Sequence, residues 1–202
     1  MSPSSERRHA PATERNREAI ATVLERVLAE ASTVIEIGSG TGQHAAFFGA
    51  RLPRVTWQPT EVDAELLPSI DAWVSEAGLS SVKPALHLDV TSADWPVASV
   101  DALVCINVIH IAPKEVLEAL LTGAATRLPS GGALVLYGPF QEGGRHTAES
   151  NERFDAMLRA QNPAWGVRNL DDVIARAAEF GLRHAETVRM PANNLTVVFR
   201  KP

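Results

Sequence analysis

The residues best suited to bind a ligand follow a short apolar run near the start of the chain. Residues 34–37 (VIEI) predict a buried strand, and the next five, Gly38-Ser39-Gly40-Thr41-Gly42, carry glycine at alternate positions. Glycines let a backbone approach a partner closely, and the loop amides with the N-terminus of a following helix form a site for an anionic group. A tight turn without a ligand is the alternative, because this glycine pattern alone is a weak motif.

Acidic residues stand at spacings that suit an adenosine ligand. Glu61 lies about twenty residues beyond the glycine loop, where an acid accepts hydrogen bonds from ribose hydroxyls. Asp89, followed by Val90, ends the third predicted strand, where a carboxylate accepts from the adenine amine, as is characteristic of S-adenosylmethionine enzymes. Glu36 precedes the first glycine by two residues and suits an ammonium group. The alternatives are a helix cap for Glu61, a strand-end cap for Asp89 and a satisfied polar side chain for Glu36.

If the ligand is S-adenosylmethionine, the expected chemistry is methyl transfer, and three further residues are candidates to take part in it. This reaction is an in-line displacement, so the protein aligns the nucleophile, and a base is needed only if the nucleophile arrives protonated. His110, beyond the fourth strand, is the candidate for base or substrate positioning, and Tyr137 for the wall of the acceptor pocket. Asn107 is expected to contact the cofactor or the acceptor. A hydrogen-bonded structural histidine and a core tyrosine are the alternatives.

Other polar residues are placed to contact a substrate. Arg145 and His146, in a predicted glycine-rich loop over residues 138–147, can clamp an anionic substrate or simply be solvated. Asn16 and Asn194 lie in segments that can fold over the edge of the sheet where the carboxyl ends of the strands meet. Turn and cap roles are the alternative for both.

The elements that position these residues alternate along the chain. A helix is expected from Glu14 to about Ala31, after a flexible arm over residues 1–13, and residues 14–202 are expected to form a single domain. Strands alternate with helices and are followed by an antiparallel pair joined by Pro191-Ala192-Asn193. The predicted fold is α/β, a Rossmann-like, doubly wound, mostly parallel sheet of seven strands with a C-terminal antiparallel pair. The strands are predicted at residues 33–38, 55–59, 82–90, 100–108, 133–137, 182–190 and 194–200.

Composition restricts the partners. A net charge of -5 and a pI near 5.7 argue against a large basic surface for nucleic acid, which leaves a small-molecule substrate as the expected partner. No apolar run approaches the roughly 18 residues of a membrane span, and the first residues lack a secretory signal pattern. Cys105 is the only cysteine, so no disulfide and no cysteine metal cluster are expected, and a cytoplasmic location fits.

Several short motifs together resemble those of the methyltransferase-like protein 26 family, an uncharacterised group within the class I S-adenosylmethionine-dependent methyltransferases. The resemblance extends from residue 14 to residue 200 and implies the seven-stranded fold and S-adenosylmethionine as cofactor, but no established substrate. One departure concerns Thr60-Glu61, where the family usually has Ser-Asp. The motifs are the residue 36–44 loop, Trp57-Gln58-Pro59, residues 86–90, Cys105-Ile106-Asn107, Tyr137-Gly138-Pro139, residues 162–166 and residues 190–194.

Two other functions remain compatible with the sequence. The glycine loop and Glu61 alone also suit a nicotinamide-dependent oxidoreductase. A non-catalytic binding module that retains the cofactor fold is the third possibility. The nicotinamide alternative does not account for an acid at the position of Asp89.

Overall fold

A central sheet flanked by helices organises residues 7–202, the part of the chain described by a computed structural model. The helices are α1 (Pro11–Val27), α2 (Gln43–Arg51), α3 (Leu67–Glu76), α4 (Lys114–Arg127), α5 (Glu149–Gln161) and α6 (Leu170–Glu179). The strands are β1 (Thr33–Ile37), β2 (Thr56–Glu61), β3 (Leu86–His87), β4 (Ala102–Ile106), β5 (Ala133–Glu142), β6 (Arg145–His146), β7 (Arg168–Asn169), β8 (Arg183–Met190) and β9 (Asn194–Arg200).

The sheet is doubly wound. Its main path runs β3-β2-β1-β4-β5-β9-β8, and the short strands β6 and β7 pair with β5 beside that path. Strands β1 to β5 are parallel, whereas β9 lies antiparallel to both β5 and β8. The predicted α/β fold with its terminal antiparallel pair is therefore confirmed. The strand order reverses between β1 and β4, which is where such sheets bind ligands.

Alternating side chains of the strands build a core on each face of the sheet. Val34 of β1 packs with Ile20 of α1 and Phe48 of α2, whereas the next residue, Ile35, packs on the opposite face with Leu121 of α4. Parallel strands covered by helices on both faces are buried throughout, which explains the continuous apolar sequence of β4. Helices packed on both faces thus hold the strands, and with them the strand ends, in fixed positions.

The end of β5 differs from the prediction of a long loop over residues 138–147. The strand continues to Glu142, because Gly138 pairs with Leu195 and Pro139 pairs with Asn194 of β9. The chain then turns back into β6. The third strand is also shorter than predicted, with regular pairing only at residues 86–87.

The N-terminal segment differs as well. Helix α1 begins at Pro11, within the predicted flexible arm. The backbone N–H of Arg8 donates to Ser69 Oγ (2.8 Å), and Trp73 Nε1 donates to the Arg8 carbonyl (2.9 Å), so this segment is held against α3. Residues 1–6 lie outside the described residues, and the division of the chain into an arm and one domain stays a prediction.

No helix within residues 7–202 combines the length and the apolar composition needed to cross a lipid bilayer.

Gly42 is predicted to be indispensable for packing α2 against α3. It has φ +90°, and a Cβ there would lie 2.4 Å from Ile70 Cα. Gly42→Ala should lower the free energy of unfolding by roughly 2–5 kcal/mol, the sum of a left-handed backbone and a clash. Gly78 also has positive φ but open space around it, so Gly78→Ala should cost only about 1–2 kcal/mol. Urea denaturation followed by circular dichroism measures both, and equal losses would rule out the clash.

Candidate active site

A cavity of about 450 Å³ opens at the carboxyl ends of β1, β2 and β4, at the reversal of strand order. We call it the larger cavity, to distinguish it from a smaller one that adjoins it. Its wall also includes Ala10, just before α1, and Thr13 and Asn16 near the start of that helix. The predicted cofactor residues that line it are Gly38, Ser39, Gly40, Glu61, Asp89, Val90 and Asn107.

The glycine loop forms one side of the larger cavity. Gly38 has φ +68°, and a Cβ there would lie 2.5 Å from the Val108 side chain, so only glycine fits. Gly40 has φ +56°, and no atom outside its two chain neighbours lies within 4 Å of the place a Cβ would take, which leaves its backbone open to the cavity. Gly42 does not line the cavity, and its role in the structure is the contact with α3.

The Glu61 carboxylate is held by backbone amides. Gly40 N–H donates to Oε2 (2.7 Å), whereas the N–H groups of Val62 (2.9 Å) and Asp63 (3.1 Å) both donate to Oε1. The lone pairs of Oε1 are thereby used, and Oε2 retains one. Glu61 is buried yet lines the larger cavity, so this remaining acceptor is available to a ligand hydroxyl.

Asp89 presents a second carboxylate. Its Oδ1 accepts from the N–H (2.9 Å) and the hydroxyl (2.7 Å) of Thr91, and these bonds hold the pKa of Asp89 below its ordinary value. The predicted strand-end cap is thus present. Oδ2 accepts no hydrogen bond from residues 7–202, so the same side chain can cap the turn and bind a ligand amine.

The larger cavity is acidic. Glu61 and Asp89 line it, and none of its lining residues within the described chain is a lysine or arginine. His44 also lines it, but burial lowers the pKa of His44 to about 4, so the ring is neutral near pH 7. Such a site favours a cationic group over a pyrophosphate.

Glu36 occupies a different position from the other predicted cofactor residues. It lies on the face of β1 that packs against α1 and α2, and its Oε2 accepts from Trp57 Nε1 (2.9 Å). Burial raises the pKa of Glu36 from its ordinary 4.5 to about 7. Glu36 does not line the larger cavity, which matches the alternative of a satisfied polar side chain; its contact with a ligand stays a prediction.

His110 is buried, with 1% of its surface exposed. The backbone N–H of Arg168 donates to its Nδ1 (3.3 Å), whereas Nε2 has no partner among the described residues. Burial and the nearby Arg168 charge lower the pKa of His110 to about 3, so the ring is neutral. Because Nδ1 is an acceptor, the single ring proton lies on Nε2. Of the two predicted roles, this tautomer supports positioning through a donated hydrogen bond rather than proton abstraction.

A second cavity, of about 280 Å³, adjoins the first. We call it the smaller cavity. Asn107 and Ile111 line both cavities, and Asn194, a predicted substrate residue, lines the smaller one. Asn107 adopts φ +60° and its N–H donates to the Tyr137 carbonyl (2.8 Å), which fixes it between the two spaces. The smaller cavity is lined by Asn107, His110, Ile111, Pro139, Asn151, Phe154 and Asn194.

Tyr137 lines neither cavity. Its hydroxyl is buried without a well-formed hydrogen bond among residues 7–202, and burial raises its pKa, although the side chains of Asn16 and Asn194 oppose that shift. Asn16 lines the larger cavity and its Oδ1 lies 2.9 Å from His44 Nε2. The structure therefore places Tyr137 behind the walls rather than at their surface, and its contact with an acceptor stays a prediction.

Arg145 and His146 lie apart from both cavities. They form β6, because the segment predicted as a loop pairs with the end of β5. His146 Nε2 lies 3.2 Å from Gln141 Nε2 and 3.6 Å from Asp155 Oδ2. Their contact with a substrate stays a prediction that neither cavity supports.

Among the residues of the site that the sequence did not predict, three stand out. His44 stands two residues after the glycine loop, a position that signals proximity to any ligand of that loop. Ile111, 46% exposed at the junction of the cavities, and Asn151 on α5 carried no local signal. Their places depend on tertiary packing.

The sheet order, the open glycine loop and the strand-end carboxylates define the class I S-adenosylmethionine-dependent methyltransferase fold. More particularly, the chain belongs to the family described as a protein of unknown function, DUF938, which it matches over residues 7–201.

Solved structures share this fold at low sequence identity. An O-methyltransferase family protein from Burkholderia thailandensis is 18% identical with a TM-score of 0.80, over 94% of this chain and 57% of that one. Mitomycin 7-O-methyltransferase MmcR is 18% identical with a TM-score of 0.76, over 100% and 61%. Human N-acetylserotonin methyltransferase, solved in complex with SAM, is 15% identical with a TM-score of 0.71, over 92% and 54%. The chain thus spans less than two thirds of each of these structures.

Glu36 is predicted to make stability fall as the pH rises. Below pH 4.5 the carboxyl is protonated in the folded and the unfolded chain, and above pH 7 it is ionised in both. Between these values the unfolded chain ionises first, so the free energy of unfolding falls by about 3 kcal/mol as the pH rises. Glu36→Gln retains an acceptor for Trp57 and removes this loss. Relative to the unmodified chain, the variant should therefore gain roughly 2–3 kcal/mol between pH 5 and pH 8.

Denaturant titrations of both proteins at the two pH values test this difference without added ligand. The buried histidines are common to both proteins, so their own titration cancels. A constant difference would show that Glu36 ionises in the folded chain at its ordinary pKa.

Proposed function

We propose that the protein is an S-adenosylmethionine-dependent methyltransferase that acts on a small-molecule acceptor. The observation that carries the proposal is the acidic larger cavity, where an open glycine loop faces two carboxylates that each retain an acceptor position. That combination suits an adenosine joined to a cationic sulfonium and an ammonium group.

The residues present fit this cofactor. Glu61 Oε2 would accept from a ribose hydroxyl and Asp89 Oδ2 from the adenine amine, while Val90 and Leu88 offer apolar contact to the base. The open space at Gly40 admits a ligand that approaches the loop backbone. When bound, the cofactor supplies a methyl group on a positively charged sulfur.

The chain contributes alignment of the acceptor. The smaller cavity adjoins the larger one at Asn107 and Ile111, so an acceptor in it would lie next to the cavity that would hold the cofactor. The acceptor would provide the lone pair that receives the methyl group. Any proton on the nucleophile passes to water, since His110 Nδ1 already accepts the Arg168 N–H.

A nicotinamide cofactor suits the site less well. Its pyrophosphate carries negative charge, and the described residues that line the larger cavity include acids and no lysine or arginine to balance it. Human N-acetylserotonin methyltransferase in complex with SAM and PigF with SAH are similar to the chain in fold, which supports the proposed cofactor. A non-catalytic binding module would bind the cofactor but form no methylated product, so a turnover assay distinguishes it from an enzyme.

The proposal also includes the family resemblance, the location and the partner expected from the sequence. The resemblance to the methyltransferase-like protein 26 family supports it, and a cytoplasmic protein that acts on a small molecule rather than on nucleic acid or at a membrane agrees with the acidic composition.

Titration calorimetry with S-adenosylmethionine, S-adenosylhomocysteine and NAD tests the cofactor. The two adenosyl ligands should bind and NAD should not, because only NAD brings a pyrophosphate into the acidic cavity. Binding of NAD with no response to either adenosyl ligand would refute the proposal.

The two strand-end carboxylates are predicted to contribute separately to cofactor affinity. Asp89→Ala and Glu61→Ala should each weaken S-adenosylhomocysteine binding by about 10- to 150-fold, since a hydrogen bond to a charged group is worth roughly 1.5–3 kcal/mol. Glu61→Ala should be the more severe, because it also releases the Gly40 amide.

Asp94→Ala is the matched control, since Asp94 is exposed in the same connection as Asp89 and does not line the larger cavity. Calorimetry on all three variants, with circular dichroism to verify folding, gives the comparison. Unchanged affinity in folded Asp89→Ala would withdraw its assignment.

A further inference from the structure

The smaller cavity contains a buried polar atom that lacks a partner. His110 is 1% exposed, and its Nε2 makes no hydrogen bond with any residue of the described chain. An unsatisfied buried N–H costs about 1–3 kcal/mol, and such groups in folded proteins usually have a function or a missing partner. Because His110 lines the smaller cavity, the missing partner has a place to bind.

The orientation of His110 is fixed from outside the cavity. The Arg168 N–H donates to Nδ1 (3.3 Å), and the Arg168 guanidinium donates to the carbonyls of Ile109 (2.9 Å) and Ala112 (2.5 Å) on either side of the histidine. Phe140 packs edge-on against the ring at 5.0 Å. These contacts leave Nε2 as a donor whose position does not depend on a ligand.

Gly138 keeps space open in front of that donor. A Cβ on Gly138 would lie 2.6 Å from His110 Nε2 and 3.2 Å from Asn107 Oδ1, so any side chain there would occupy this space. His110 Nε2 and the Asn107 amide oxygen therefore both border the same space, next to the wall that the two cavities share.

The remaining polar groups of the smaller cavity are uncharged. The Asn151 amide nitrogen donates to Thr147 Oγ1 (3.1 Å) and the Asn193 carbonyl (2.9 Å), and the Asn194 amide nitrogen donates to the Pro191 carbonyl (3.3 Å). No ionisable side chain other than the neutral His110 lines this cavity within residues 7–202. A charged molecule would lose hydration here without gaining a counter-ion.

We propose that the smaller cavity is the methyl-acceptor subsite and takes an uncharged small molecule that presents an oxygen or nitrogen lone pair to His110 Nε2–H. This assignment rests on the proposed function, because the subsite adjoins the cofactor cavity. Phe154 and Pro139 offer apolar contact to a ring, and a volume of about 280 Å³ limits the acceptor to a small compound. His110 then binds the acceptor and orients it.

Three probes of the same shape and different charge test the assignment. Benzamide is neutral, benzoate is an anion and benzamidine is a cation. Each is titrated by NMR into ¹⁵N-histidine-labelled protein saturated with S-adenosylhomocysteine. Benzamide should bind about tenfold or more tightly than either charged probe, and it should shift the His110 Nε2 resonance. Tighter binding of benzoate or benzamidine would overturn the uncharged class, and failure of all three to bind would overturn the subsite.

His110→Phe keeps a ring and removes the donor, and it should weaken benzamide binding by about tenfold. Thr196→Val is the matched control: it also removes a buried, unpartnered polar atom, but one outside both cavities, and should leave benzamide binding unchanged. Gly138→Ala gives an independent variant in which the histidine remains and the space before Nε2 is filled. Benzamide affinity that is unchanged in either folded cavity variant would overturn the role of His110.

The cofactor titration separates the two levels of the proposal. Absence of S-adenosylhomocysteine binding to the unmodified protein would refute the proposed function. Normal binding of S-adenosylhomocysteine, together with failure of the benzamide experiments, would refute the acceptor subsite alone.

Discussion

The site depends on one carboxylate that joins two strand ends. Glu61, at the end of β2, accepts the Gly40 N–H with one oxygen and the N–H groups of Val62 and Asp63 with the other. The glycine loop after β1 and the turn after β2 are thereby fixed to the same group. A buried carboxylate needs hydrogen-bond donors, and the Gly40 N–H is one of those that Glu61 uses. The same hydrogen bond therefore holds the glycine loop in place as one wall of the larger cavity.

Local sequence patterns predicted much of the fold. The apolar run of β4, the glycine loop and the β8–β9 pair around residues 191–193 each follow from short-range rules, so their places in the sheet could be anticipated. The acids Glu61 and Asp89 were predictable for the same reason. In a parallel sheet the carboxyl ends of the strands lie on one edge, and side chains just after them converge there.

Contacts distant in sequence account for what the sequence did not predict. The glycine and proline after Tyr137 are typical of a loop, yet pairing with Leu195 and Asn194 extends β5 through them and moves Arg145 and His146 away from the site. The tautomer of His110 is set by Arg168, far along the chain. Periodicity reports which face of an element is buried, but it carries no information on which remote group supplies a hydrogen bond.

The segment over residues 8–10 is held against α2 and α3 and contributes to the wall of the larger cavity. Ala10 lines the larger cavity and donates its N–H to Gln43 of α2, while Arg8 is hydrogen-bonded to Ser69 and Trp73 of α3. A ligand that contacts both this segment and the strand ends stabilises docking by the free energy that docking adds to its own affinity. Binding of such a ligand and docking of residues 8–10 are therefore thermodynamically linked.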